Sequence, residues 1–109
     1  MSKFHNIIVE TKHGRFDSKK EYRRFLELKM MERAGEIHDL ERQVPFVLIT
    51  GVRWSDGKKH RDTIYKADFV YHLQNGEKIV EDVKGVKTAA YKIKKELMKD
   101  IYGIEIQEV

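Results

Sequence analysis

Apolar residues recur along the chain at three different spacings, each implying a different element. From Ser18 onward, Tyr22, Phe25, Leu26, Lys29, Met30 and Arg33 follow helical intervals. Ser18 with Glu21 fits a capping box and Gly35 supplies a stop, so a helix is predicted over residues 18–34. Val44–Thr50 (VPFVLIT) is a nearly continuous apolar run, short enough for a buried strand. Asp56-Gly57 marks a hairpin turn. Thr63–Leu73 then alternates, with Ala67, Phe69, Tyr71 and Leu73 on one face and Asp68, Val70 and His72 on the other. Asn75-Gly76 marks a further turn before a strand over Lys78–Lys84. Thr88–Tyr102 reads as a second helix with Ala90, Ile93, Leu97 and Ile101 as its core stripe, ended by Gly103. Ile104, Ile106 and Val109 form a short last strand. The predicted class is a small α/β domain occupying residues 1–109, in the order helix, three antiparallel strands, helix, strand.

Register within the second hairpin decides which polar residues meet. A two-residue Asn75-Gly76 loop places Asp68 opposite Val83, on the wrong side of the sheet. A three-residue loop, Gln74–Gly76, pairs Leu73 with Glu77 and sets Asp68 opposite Asp82 and Val70 opposite Val80. The second register matches apolar with apolar more fully, Glu81 excepted, and is the one expected.

Composition narrows the classes. At 109 residues, with 40% hydrophobic and 37% charged positions, the chain is globular and has room for one modest core. No apolar run approaches the ~20 residues of a membrane helix, and MSKFHNIIVE lacks the pattern of a secretory signal. The absence of cysteine excludes disulfides, thiolate nucleophiles and cysteine-ligated zinc, and fits a reducing, cytoplasmic setting. Net charge is only +4, but the cations are grouped. Lys12, Arg15, Lys19, Lys20, Arg23 and Arg24 form one group, Lys58, Lys59 and Arg61 a second, and Lys84, Lys87, Lys92, Lys94, Lys95 and Lys99 a third. Such grouping is either a solvated surface or the footprint of a polyanion.

In the expected register Asp68 and Asp82 converge with Lys84, two residues beyond Asp82 on the same face. Adjacent carboxylates repel, and a hard divalent cation, Mg²⁺ or Mn²⁺, relieves the repulsion. A lysine beside them orients water or stabilises developing charge, a set suited to metal-assisted phosphodiester hydrolysis. An ordinary charged strand end would carry the same three residues.

The arrangement resembles the PD-(D/E)xK nuclease superfamily, and more narrowly small phage-encoded endonucleases of the Holliday-junction-resolvase type within it. The resemblance is carried by FDSKKEYRRFLELKMMERAGEI, LERQVPF, IYKADFVYHLQNGEKIVEDVKGVKT and YKIKKELM, spanning residues 16 to 102. It implies a restriction-endonuclease-like core, a sheet flanked by helices. It makes Asp68 and Asp82 the metal-binding carboxylates, the Val83 carbonyl a further ligand and Lys84 the catalytic lysine. Glu21 corresponds to an acidic residue directed at the metal or its waters, although as third helical residue it competes for the Ser18 capping box. Gln43 corresponds to a polar active-site position. Ala67 stands where a proline precedes the first aspartate of the motif.

Further positions extend this reading. Lys92 and Lys95 lie near one helical face that Lys87 leads into, a surface for a phosphate backbone or simply for solvent. The basic stretch Gly51–Arg61 carries Lys58, Lys59, Arg61 and the single tryptophan, Trp54, which could stack on a base, contact a second copy or plug the sheet. His5, His13, His38, His60 and His72 show no metal-ligand spacing, and His72 is expected to be a satisfied polar residue. Glu81 is expected at the surface or in packing. The leading expectation is a Mg²⁺- or Mn²⁺-dependent DNA endonuclease, selective for branched DNA and acting as a homodimer. A non-catalytic nucleic-acid-binding accessory protein and a purely structural protein are the alternatives.

Overall fold

The computed structural model describes residues 8–83 and 87–109. A short hairpin of β1 (Val9–Thr11) and β2 (Gly14–Phe16), not foreseen from the sequence, precedes helix α1 (Lys19–Arg33). Strands β3 (Ile37–Ile49), β4 (Thr63–Leu73) and β5 (Lys78–Asp82) follow, then α2 (Ala89–Tyr102) and β6 (Gln107–Glu108). The main sheet runs β3-β4-β5-β6, with β3, β4 and β5 antiparallel and β6 parallel to β5. The fold is therefore α/β with a mixed sheet. Among the described residues no helix is long and apolar enough to cross a membrane.

Local chemistry accounts for the helix boundaries. The Ser18 hydroxyl accepts the Glu21 amide at 3.1 Å, and Thr88 does the same for Tyr91 at α2. Gly103 ends α2 at φ 69, a left-handed turn that a side chain would resist. Strand β3 is longer than its apolar run, starting at Ile37 rather than Val44, because β4 supplies ladder partners back to Leu73.

The sheet separates two apolar layers where the sequence suggested one core. Phe16, Phe25, Leu28, Ile37, Phe69 and Tyr71 pack under α1. Phe46, Leu48, Tyr65, Ala67, Val70, Val80, Tyr91, Met98 and Ile106 pack under α2. Both helical stripes are rotated from those expected. On α1 the buried positions are Glu21, Phe25 and Leu28, while Leu26 and Met30 are exposed. On α2 they are Tyr91 and Met98, seven residues apart, while Ile93 and Ile101 face out and Ala90 is exposed.

One irregularity shapes the middle of the sheet. Tyr65 and Ala67 belong to the α2 layer, but Phe69 and Tyr71, at the same parity, belong to the α1 layer. The alternation changes phase between Ala67 and Phe69, so these residues do not share a single face as strict period two requires. On β3 the same change falls between Arg42, whose guanidinium lies 3.6 Å from the Phe16 ring centre, and Val44, which packs in the α2 layer. Gln43, between them, has φ 53. A left-handed backbone at a glutamine is uncommon and costly, and such positions concentrate at functional sites.

The β4–β5 hairpin has the three-residue register. Val70 pairs with Val80, Phe69 with Glu81, and the Leu73 amide donates to the Glu77 carbonyl at 2.9 Å. Glu81 is neither at the surface nor in apolar packing: it is 1% exposed on the α1 side. Arg24 grips it with two bonds, Nε to Oε1 at 2.8 Å and an η-nitrogen to Oε2 at 2.6 Å, and the Tyr71 hydroxyl donates to the same carboxylate. Arg24 of the first basic group is thereby committed inside the protein.

Removing Arg24 alone leaves a carboxylate stranded out of water. Arg24→Met should therefore lower stability by about 3–5 kcal/mol, and adding Glu81→Met should restore a large part of it. Urea denaturation of the two variants checks this; equal midpoints for Arg24→Met and wild type would sink it.

Candidate active site

The phase change in β3 and β4 opens a polar cleft of about 400 Å³ at the N-terminal side of α2. Asp17, Gln43, Tyr65, Lys66, Asp68, Asp82, Thr88 and Lys94 are among the residues lining it. Asp68 comes from β4 and Asp82 from the end of β5, one step beyond the paired rung Phe69–Glu81. The Val83 amide donates to Asp68 Oδ2 at 2.8 Å, tying the two strands together here. Strand β5 ends at Asp82, and Val83 follows it outside the ladder. Lys84 lies outside the described residues.

Glu21 joins the cluster from the first turn of α1 and is 3% exposed. Its own amide takes the Ser18 hydroxyl, the forward half of the capping box. The carboxylate does something else: Oε2 accepts the Asp17 amide at 3.3 Å, and Oε1 accepts from the Gln43 side-chain amide at 3.3 Å. The same Gln43 nitrogen donates to Asp68 Oδ1 at 3.3 Å, so one neutral amide bridges two carboxylates. Its left-handed backbone is what delivers the side chain between them. Arg42 stands behind Glu21, with an η-nitrogen 4.0 Å from Oε2 that donates to the Arg15 carbonyl at 2.8 Å.

The electrostatics follow from this crowding. Burial, reinforced by the neighbouring Glu21 charge, pushes the Asp68 carboxyl up to about 7 against the opposing donation from the Val83 amide. Asp82 is 2% exposed and accepts the Tyr65 hydroxyl at 3.0 Å. Burial and then the Asp82 charge raise the Tyr65 hydroxyl far above the phenol range, so it serves as a fixed donor.

Asp68, Asp82, Glu21 and Gln43 thus meet in one place. The expected DNA-binding lysines do not. Lys87 and Lys95 are spent on Glu108 of β6, at 2.9 and 3.2 Å, in a separate groove between α2 and β6 that Lys92 also lines. Lys87 first, then the Tyr91 hydroxyl, lower the Glu108 carboxyl to about 2. Lys58, Lys59 and Arg61 are exposed on the Gly51–Arg61 loop and do not line the cleft. That loop closes tightly: a side chain at Gly51 would put its Cβ 1.9 Å from the His60 carbonyl oxygen, so only glycine fits. Trp54 is 52% exposed beside His60 and does not plug the sheet.

The sequence reading missed Lys66 and Lys94, the cations that do line the cleft, along with Tyr65 and Arg42. Lys94 stands in the third basic group of the sequence, but the α2 face it shares with Tyr91 and Met98 is set only by the fold.

Residues 1–107 match the family described as "Protein of unknown function (DUF1064)". The chain belongs to DUF1064. No curated protein and no solved structure gives a significant match.

In this DUF1064 chain the donor set at the cleft is carboxylate oxygens with neutral amides and a hydroxyl around them, a set suited to a hard divalent cation. Asp68 also has a consequence without any cation. A carboxyl whose pKa is raised by folding binds more protons folded than unfolded between about pH 4 and 7, so its contribution to stability falls as pH rises through that window. Asp68→Asn should therefore stabilise the metal-free protein at pH 8, on the order of 1 kcal/mol, with the gain vanishing toward pH 4. Urea midpoints of both proteins across that range, in chelator, would show it; a gain independent of pH would contradict it.

Proposed function

We propose that this chain is a divalent-metal-dependent endodeoxyribonuclease with a restriction-endonuclease-like PD-(D/E)xK core. The observation that carries the reading is the meeting of Asp68 and Asp82 across the β4–β5 hairpin, with Glu21 and Gln43 beside them and Lys66 and Lys94 on the same cleft wall. Carboxylates so placed repel a phosphate on their own, and a divalent cation bound between them removes that repulsion. The element order around the cleft agrees with the resemblance carried by the sequence.

Asp68, Asp82 and the Val83 carbonyl would hold Mg²⁺ or Mn²⁺, which when bound polarises a phosphodiester and acidifies a water. Among the described residues Glu21, Asp68 and Asp82 do not form a set with ligand atoms all within 4.8 Å of one another. Glu21 lies directly against Asp68, and the two carboxylates share the Gln43 amide. Occupation of the site requires Asp68 to release its proton, and Gln43 stays as donor to keep both carboxylates aimed inward. Lys94 offers its ammonium to the non-bridging phosphate oxygens, where negative charge grows as the P–O bond breaks. Lys84 retains the catalytic lysine role that the resemblance assigns it.

A single cleft cuts one strand at each encounter. Two cuts in branched or duplex DNA call for a second copy, and β3, at the sheet edge, exposes Val47 and Ile49 for such a contact. The proposed substrate is DNA selected by shape, with a four-way junction as the leading candidate.

Labelled four-way junction, flap, duplex and single-stranded DNA incubated with Mg²⁺, Mn²⁺ or chelator tests the reading. Cleavage should need metal and fall by more than about 100-fold in Asp82→Ala, since losing even an outer-shell partner of a metal site costs 10–100-fold. Tight binding without cutting in every metal would instead favour a non-catalytic binding protein.

Lysines of the cleft and of the α2–β6 groove should part company in the same assay. Lys94→Ala is expected to slow cleavage of bound DNA. Lys92→Ala should leave that rate intact and reduce the salt dependence of binding by about one phosphate contact. Equal effects of the two substitutions on the single-turnover rate would contradict the role given to Lys94.

A further inference from the structure

A second group of metal-ligating side chains sits apart from the carboxylate cleft and owes nothing to the nuclease reading. His38 and His72 face each other directly in the β3–β4 ladder, where side chains on opposed strands are close neighbours. Their rings lie parallel within 18°, with centres 5.5 Å apart. Directly after His38 the ladder register shifts, and Asp39 takes a left-handed backbone at φ 57. That turn swings its carboxylate back toward the ring, leaving Oδ2 2.9 Å from His38 Nδ1. One ligand atom from each of His38, Asp39 and His72 lies within 4.8 Å of the others.

An independent feature of the site points to a missing partner. His72 Nδ1 is shut off from solvent and has no hydrogen-bond partner among the described residues. A buried ring nitrogen left in that state is costly, and one that accepts nothing and donates to nothing is suited to a metal or a bound water. The expectation that His72 is a satisfied polar residue therefore does not hold.

We propose that His38, Asp39 and His72 form a metal site for a Zn²⁺-class cation. Two imidazoles and one carboxylate are borderline donors, the combination that zinc and its neighbours take and Mg²⁺ does not favour. Tetrahedral coordination at about 2.0–2.1 Å per bond spaces ligand atoms roughly 3.3 Å apart, within reach by side-chain rotation alone. Three protein ligands leave a fourth position for water. His72 lies four residues beyond Asp68 on β4, about 13 Å along the strand, so the two sites are separate. A metal here clips the start of β3 to the end of β4 and holds the irregular turn at Asp39.

Tag-free protein titrated calorimetrically with ZnCl₂, CoCl₂ and MgCl₂ tests the proposal. Zn²⁺ should bind at one equivalent, far more tightly than Mg²⁺, and Co²⁺ should give the visible absorption of a tetrahedral complex. His38→Ala and His72→Ala should each weaken Zn²⁺ by about tenfold or more. His13→Ala, His60→Ala and Asp82→Asn should leave it unchanged. Imidazole NMR signals of wild type give a reading that needs no variant, with those of His38 and His72 shifting first on adding Zn²⁺. Shifts confined to other histidines, or unchanged affinity in His38→Ala and His72→Ala, would overturn the proposal, as would binding that depends on Asp82.

Discussion

Negative charge held out of water beside more negative charge is the constraint around which this protein is arranged. Glu21 and Asp82 are buried and Asp68 is half-buried next to them. Carboxylates in such company either take up a proton or need positive charge. The fold supplies neutral donors: the Gln43 amide between Glu21 and Asp68, the Val83 amide on Asp68, the Tyr65 hydroxyl on Asp82. Those donors orient the carboxylates, and the Arg42 guanidinium stands 4.0 Å from Glu21. Burial keeps the Asp68 pKa raised against the pull of those donors.

Contrast with Glu81 makes the point sharper. It is the adjacent residue, equally buried, but on the opposite side of the sheet. There Arg24 meets it with a bidentate grip and Tyr71 adds a hydroxyl, so its charge is fully answered from within. The two adjacent acidic residues are built into different surroundings, and the strand's period of two separates them.

Backbone irregularity does the positioning. Regular strands would carry Gln43 away from Glu21 and keep Ala67 with Phe69. The phase change in β3 and β4, with Gln43 left-handed at its centre, turns both strands so that α1 and α2 contribute to one site from opposite faces. Asp39 repeats the device further along β3, where it brings a carboxylate back to His38. Strain at polar residues of this kind is retained where the surrounding structure over-determines it.

Much was legible in the sequence alone, because it depended on neighbours in the chain. Helix limits followed from Ser18, Gly35, Thr88 and Gly103, and the three-residue turn at Gln74–Gly76 was enough to align Val70 with Val80 and bring Asp68 toward Asp82. Other features required the tertiary structure. The faces that α1 and α2 bury were set by the layer each packs on, so Met30 and Ile93 lie outside while Glu21 and Tyr91 lie within. The commitment of Lys87 and Lys95 to Glu108 depended on where β6 docks, and the pairing of Arg24 with Glu81 on contact between residues 57 positions apart. The meeting of His38 with His72 arose from strand pairing across a long loop. Local chemistry determines where elements begin, end and turn; which charges answer one another is decided only when distant segments share a space that water has left.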